Sequence, residues 1–332
     1  MILVDAGYLV AAAAQVIVGT SLRRSVIVDW VRLVDGIKQG VASLVGESDL
    51  LRVLWYDAGR DRGSAGDAPE HGLISLLPDV KLRLGRLNNE GAQKGVDTRI
   101  ALDMVNLAAR SSVSDIFLVS GDDDLTEAVD VAQEYGVRVT LYNVPDEGVH
   151  LGVHATAVHL AQSADGCRPI ARELLEEAIT PATRPDAVVL NASPDGGRPG
   201  PATPTPADLA RLRAGLPRHV GGAPGTVSAS ASPNTLRWHV ESAGDDDLVP
   251  HIADVTSKVV AGWLASATRD DIDELRSNRP IVPAEVDRTL LMDLVGRGGD
   301  RYRYLGEGTR HELRDRFWSE FDAQAPAQSP SL

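Results

Sequence analysis

Cysteine is almost absent: Cys167 is the only one in 332 residues. A lone thiol excludes an intramolecular disulfide framework and a zinc site built on several cysteines, and it is ordinary for a reducing cytoplasm. No uninterrupted apolar run reaches the ~20 residues of a spanning helix, so no membrane partner is expected. Basic charge is in deficit, with 33 Lys and Arg against 47 Asp and Glu and a formal net charge of −14. Diffuse electrostatics therefore repel nucleic acid, and any nucleic-acid contact has to be local. The apolar start, Met1 to Gly19, lacks the basic first residues of a secretory signal: its one charge is Asp5, and Arg23 and Arg24 follow it. A cytoplasmic protein is the expectation.

What is present is ordinary globular material, 43% hydrophobic and 24% charged. The length exceeds the roughly 150 residues of one typical domain, which suggests two domains or one with long tails. Residues 1–165 alternate short β-branched runs with longer helical patterns, the mark of a parallel α/β sheet. Strands are expected at Met1 to Val4, Leu51 to Tyr56, Val80 to Leu87, Asp115 to Val119 and Val137 to Tyr142. Helices are expected at Leu9 to Val18, Val26 to Val45, Gly95 to Ala109, Leu125 to Tyr135 and Ala155 to Ser163. Residues 166–235 read as a disordered linker, whose Pro, Gly, Ala, Ser and Thr cannot offset the entropy of chain ordering. Helical periodicity returns at Leu248 to Ser266, Pro283 to Val295 and Thr309 to Phe321, so residues 236–322 are expected to form a small, mainly α domain before a disordered tail, 323–332.

In a parallel α/β sheet ligands bind outside the carboxyl ends of the strands, which makes aspartates at those ends the candidates for chemistry. Asp5 ends the first strand; Asp122 and Asp124 follow the strand Asp115 to Val119 through Ser120 and Gly121; Asp97 opens the helix after the third strand. Asp103, six residues on, lies about 240° around the helix from Asp97, so the two cannot share the centre of one face. Asp57 ends a strand at a looser position. Singly, each has a plain reading as a strand-end cap, a first-turn helix residue or a solvated turn. Together they form a set that would repel itself unless a hard divalent cation resolved the conflict. Magnesium or manganese is implied, since zinc would recruit His or Cys. Two such ions about 4 Å apart activate a water and steady the leaving oxygen of a phosphodiester, which is nuclease chemistry.

Three stretches make the picture specific: Met-Ile-Leu-Val-Asp5-Ala-Gly-Tyr; Lys94-Gly-Val-Asp97, followed by Ile-Ala-Leu-Asp103-Met; and Phe-Leu-Val-Ser120-Gly-Asp122-Asp-Asp124-Leu. They resemble the signatures of the NYN domain, a branch of the PIN-like nucleases, over about the first 165 residues. The resemblance implies a PIN-like parallel sheet and a metal-dependent ribonuclease. It carries metal binding to Asp5, Asp97, Asp122 and Asp124, with Asp103 as an outer participant and Ser120 as a backbone or hydroxyl support. Leu125 departs from the pattern, which usually has Phe there, a change to packing under the loop more than to ligation.

A basic segment, Lys81, Arg83, Arg86 and Lys94, leads into Asp97 and offers a phosphate track for RNA; a charged edge strand protected against pairing explains it equally well. Tyr8 and Trp55 read as packing residues rather than base-stacking ones. Residues 276–316 hold nine arginines against seven acids, a local basic excess on an acidic chain. This C-terminal module resembles, loosely, the small RNA-binding or winged-helix-like modules that accompany some NYN domains, and a unit for self-association or for a protein partner is the other reading. The leading function is a divalent-metal endoribonuclease; the alternative is a catalytically weak or silent RNA-binding scaffold that retains the fold. A phospho-accepting receiver is disfavoured because Val137 to Tyr142 offers no lysine at its strand end, and an Asp-x-Asp transferase leaves Asp5 and Asp97 unexplained.

Overall fold

The computed structural model of the chain describes residues 1–46, 49–59, 69–87, 93–146, 152–182, 248–298 and 306–325. The chain opens with strand β1 (Ile2–Asp5) and helix α1 (Ala6–Val18), joined with no loop because Asp5 ends the strand and caps the helix, its carboxylate accepting from the Tyr8 N–H at 3.1 Å. Gly19, at φ +80°, closes α1 in the left-handed conformation that glycine adopts without strain. A 3-10 turn (Arg23–Ser25), strand β2 (Val26–Val28), helix α2 (Trp30–Val45), strand β3 (Val53–Gly59), helix α3 (Pro69–Ser75) and strand β4 (Val80–Leu87) follow. Next come β5 (Gln93–Lys94), α4 (Val96–Ala109), β6 (Asp115–Val119), a 3-10 turn (Asp123–Leu125), α5 (Thr126–Glu134) and β7 (Arg138–Asn143). The α/β part closes with α6 (Val158–Ser163), β8 (Gly166–Pro169), α7 (Arg172–Ala178) and β9 (Ile179–Pro181).

Seven strands form one sheet in the order β5-β4-β3-β1-β6-β7-β8, parallel throughout except that the two-residue β5 runs antiparallel to β4. Strand β1 lies at the centre, with Asp5 beside Tyr56 of β3 and Val4 beside Val119 of β6. The alternation of β1 divides the core: Ile2 and Val4 join α1 and α2 on one face, Leu3 joins α4 and α5 on the other. Neighbouring strands that send their chains to opposite faces leave a crevice at their carboxyl ends. Between β1 and β6 that crevice receives Asp5, Ser120 and the Asp122–Asp124 turn.

Two expectations are corrected here. Residues 26–28 are a strand and not the first turn of a helix: this β-branched triplet pairs antiparallel with β9, more than 150 residues later, and α2 starts only after the Asp29 cap, whose carboxylate accepts from the Arg32 N–H. The segment 166–182, counted with the linker, is structured, because Gly166–Pro169 adds the edge strand beside β7 and Leu175, Ala178 and Ile179 enter the core. The rest of that linker, 183–235, and the tail after 325 lie outside the described residues.

The C-terminal described residues are helical: α8 (Leu248–Ser266), α9 (Arg269–Ser277), α10 (Ala284–Gly298) and α11 (Glu307–Gln324). Helix α9 was missed in the periodicity, although Thr268 and Asp271 form a capping box that marks its start. Trp263, Phe317, Trp318 and Phe321 meet in edge and stacked contacts of 5.5 to 6.2 Å between ring centroids, a concentration of aromatic area in a chain that is only 4% aromatic. Leu22 enters the same core, 2% exposed, from the turn before β2, and residues 1–186 and 246–332 make one compact unit. Among the described residues, no helix is long and apolar enough to cross a membrane.

Candidate active site

Three separate loops bring carboxylates to the carboxyl edge of the sheet. Asp5 is fixed by its own capping bond and by Ser120, whose hydroxyl lies 3.4 Å from its second oxygen. Ser120 is fully buried and held on both sides of its peptide by Asn143: the Ser120 N–H donates to the Asn143 side-chain oxygen at 3.1 Å, and the Asn143 amide donates to the Ser120 carbonyl at 2.8 Å. From there the chain turns through Gly121, where an added Cβ would sit 2.0 Å from the Ala155 carbonyl oxygen and 2.8 Å from the Tyr8 ring. Only glycine passes this point. Asp122 then accepts from the Asp124 N–H at 3.0 Å, which orders the acidic turn. Asp97 comes in from the first turn of α4, behind Gly95 at φ +84°.

The charges of these loops reach one another in part. Burial pushes the Asp5 carboxyl up to about 6, and the negative charges of Asp97 and Asp57 add to it against the pull of the Tyr8 and Gly7 N–H groups. Asp97 is also raised, by burial first and then by Asp122 and Asp124. Asp97 is thus the link between the β1 end and the β6 turn. Asp103, from the same helix, goes elsewhere: it accepts from the Tyr56 hydroxyl at 3.0 Å and lies 3.3 Å from the Arg83 guanidinium.

The donor set is all oxygen, and Asp5 and Asp97 are both raised by burial and by neighbouring carboxylates, a cost that a divalent cation would relieve. Among the described residues no three Asp, Glu, His or Cys side chains are grouped so as to hold a metal by themselves. The residues that could share in holding a divalent ion here are these oxygen donors.

The basic track is divided by its surroundings. Lys81 is exposed on β4, in register with Leu54, while Arg83, in register with Tyr56, is occupied by Asp103. Arg86 and Lys94 face each other across the β4–β5 pair, and their side chains lie outside the described residues. Trp55 is fully buried against Trp30, edge to face at 6.0 Å, and Tyr8 donates its hydroxyl to the His154 carbonyl at 2.7 Å, so both pack as their sequence context suggests.

Two features escaped the sequence reading. Asn143 ends β7 as a polar residue after an apolar run, a signal open to notice, but its clamp on Ser120 depends on two strands lying side by side. The other is the set of partners around Asp57, which the sequence places only loosely at a strand end: at 4% exposure it receives a two-bond fork from Arg23, 3.2 Å on each arm, and a contact of 3.1 Å from His71. Burial alone would raise its pKa, but the His71 bond and the Arg23 charge and fork hold it down at about 2.

The uncharacterized protein y4oD of Sinorhizobium fredii is 42% identical over 92 residues, which span 28% of this chain and 41% of that protein. The chain therefore covers well under half of that relative's length. A Vibrio parahaemolyticus protein of unknown function, VPA0982, aligns structurally over 54% of this chain and 94% of its own, at 22% identity and a TM-score of 0.36. The family model of the NYN domain matches residues 1–170. With just over half its length inside that match, and with the mostly parallel sheet it requires, the chain belongs to the NYN domain family, within the PIN-like nuclease superfamily.

Proposed function

We propose that the protein is a divalent-metal-dependent ribonuclease that hydrolyses RNA phosphodiesters in the cleft at the carboxyl edge of its sheet. The observation that carries this reading is the convergence of element ends: Asp5 closes β1 and is met by the Ser120 hydroxyl at the end of β6, the Asp122–Asp124 turn continues from there, and Asp97, in the first turn of α4, is raised by burial and by the charges of Asp122 and Asp124. Asp5, Asp97, Asp122 and Asp124 would hold Mg2+ or Mn2+, and the ion would supply water activation and charge neutralisation at the phosphate. The chain's own contribution is placement. Ser120 and Asn143 fix the β6 end against Asp5, and the Asp122 cap shapes the turn that presents Asp124. RNA approaches past β4, where Lys81 stands exposed.

The test is incubation of the purified chain with single-stranded and structured RNAs in manganese, magnesium or chelator, beside Asp122→Asn. The amide keeps the volume and loses the charge a hard cation needs, so cleavage in manganese should disappear with the far-ultraviolet circular dichroism unchanged. Cleavage that survives in chelator, or in a folded Asp122→Asn protein, refutes the assignment. RNA binding with no cleavage under any metal gives the scaffold reading instead.

A further inference from the structure

The six residues 20–25, between α1 and β2, are held almost entirely by the C-terminal helices. Thr20 donates its hydroxyl to Asp293 at 2.8 Å, and Ser21 donates both its hydroxyl, at 2.6 Å, and its backbone N–H, at 3.1 Å, to the same carboxylate. Leu22 is a knob in the helical core. Arg24 donates to the Ser266 hydroxyl at 2.9 Å and to Asp271 at 3.2 Å, with its guanidinium 5.1 Å above the Trp263 ring. Ser25 packs so tightly on Gly262 that a Cβ there would approach to 2.9 Å.

Arg23 is the exception. It turns away from the helices to the carboxyl end of β3 and forks onto buried Asp57, which also receives the Ala58 N–H at 2.8 Å and a contact from His71. Asp57 directly follows Tyr56, the register partner of Asp5, so the fork sets a cation close to the β1 end, in the field of Asp57, Glu70 and Asp5. The fork uses two of five N–H groups, and the side chain remains 34% exposed. A planar cation whose orientation is set by a buried carboxylate, with donors left over and solvent in front, is built to receive an oxyanion.

We infer that Arg23 binds a phosphate of the RNA at this cleft and that the C-terminal helices hold it there through residues 20–25. The inference rests on the nuclease reading for its substrate, but its central measurement is binding. A fluorescein-labelled phosphorothioate RNA, single-stranded and resistant to cleavage, is titrated in manganese against the full chain and its variants across a salt series. Arg23→Gln should bind about tenfold or more weakly, as expected for loss of a charge-assisted hydrogen bond. Its log–log salt slope should fall by about 0.7, the value of one phosphate contact on a single strand. Arg23→Lys should restore the slope, because the charge remains, but not the full affinity, because the fork is gone. Arg24→Ala should weaken binding in the wild type and add nothing in Arg23→Gln, since it acts only through Arg23.

A purely structural Arg23 would alter the melting temperature and leave the salt slope untouched, and that result overturns the inference. Additive effects of Arg24→Ala and Arg23→Gln overturn the role of the helices. If Asp122→Asn stops cleavage while the Arg23 variants bind and cleave as wild type does, the nuclease reading stands and this inference falls. If no RNA is cleaved but binding follows Arg23, the inference stands without the nuclease reading. A chain that binds no RNA loses both.

Discussion

Replacing Asp57 by Asn removes one negative charge from a buried network and almost no volume. In the wild type the His71 and Arg23 partners hold the carboxyl down at about 2, below the ordinary carboxylate range, which corresponds to roughly 2–3 kcal/mol of stability at neutral pH. The sign follows from the depressed value. An acid with a folded pKa below its unfolded one stabilises the fold above the unfolded value, and that contribution fades as the pH falls toward 2. Breaking a fully buried ion pair costs about 3–5 kcal/mol, but Arg23 can recover water through its exposed side, so a loss of about 2–3 kcal/mol is expected. For a folded unit of this size that corresponds to roughly 5–10 °C in melting temperature. Urea denaturation of wild type and Asp57→Asn at pH 7 and pH 3 measures it, and roughly half of the difference should remain at pH 3. A variant as stable as wild type at pH 7, or a gap that widens on acidification, refutes the reasoning.

Asp5 carries the opposite sign: raised to about 6, its ionisation destabilises the metal-free fold, so thermal stability in chelator should fall as pH rises from about 4 through 6, and manganese should recover it at pH 7. A flat pH profile in chelator contradicts this. Gly121→Ala forces a Cβ onto the Ala155 carbonyl and the Tyr8 ring, and the shift needed should cost about 1–3 kcal/mol while pulling Ser120 from Asp5; an unchanged melt shows the turn is softer than its packing implies. Leu22→Ala empties a site in the helical core, with an expected loss of about 2–5 kcal/mol, and limited proteolysis should then cut sooner within residues 248–325 than in β1 or β6. Equal protection in wild type and variant counts against Leu22 as the joint between the helices and the α/β layers.

Much of the α/β fold is written locally. The apolar runs of β1, β3, β4, β6 and β7 specify strands, and Asp5, Asp122 and Asp124 stand out because they follow such runs, Asp97 because it opens a helical period. The short stretch Val26–Val28 was open to two readings, since three β-branched residues suit either a strand or the start of a helix, and the choice was made by Ile179–Pro181. The linker boundary has the same origin: Gly166–Pro169 contains glycine and proline and looks like a loop until β7 offers it a ladder.

The site divides in the same way. Sequence position alone marks Asp5 and the Asp122–Asp124 turn as lying at strand ends, because a strand end in a parallel sheet has one address. Which groups act on them was decided by tertiary structure. Asp103 shares a helix with Asp97, yet Tyr56 and Arg83 draw it to a different pairing, and Asn143 reaches Ser120 only because β7 lies beside β6. Arg23 and Arg24 are adjacent in sequence and identical in chemistry, but one faces Asp57 and the other faces Asp271 and Trp263. Periodicity and composition describe one chain segment at a time, whereas the partner of a charged side chain is fixed by long-range packing, for Arg24 by helices that begin more than 200 residues after it.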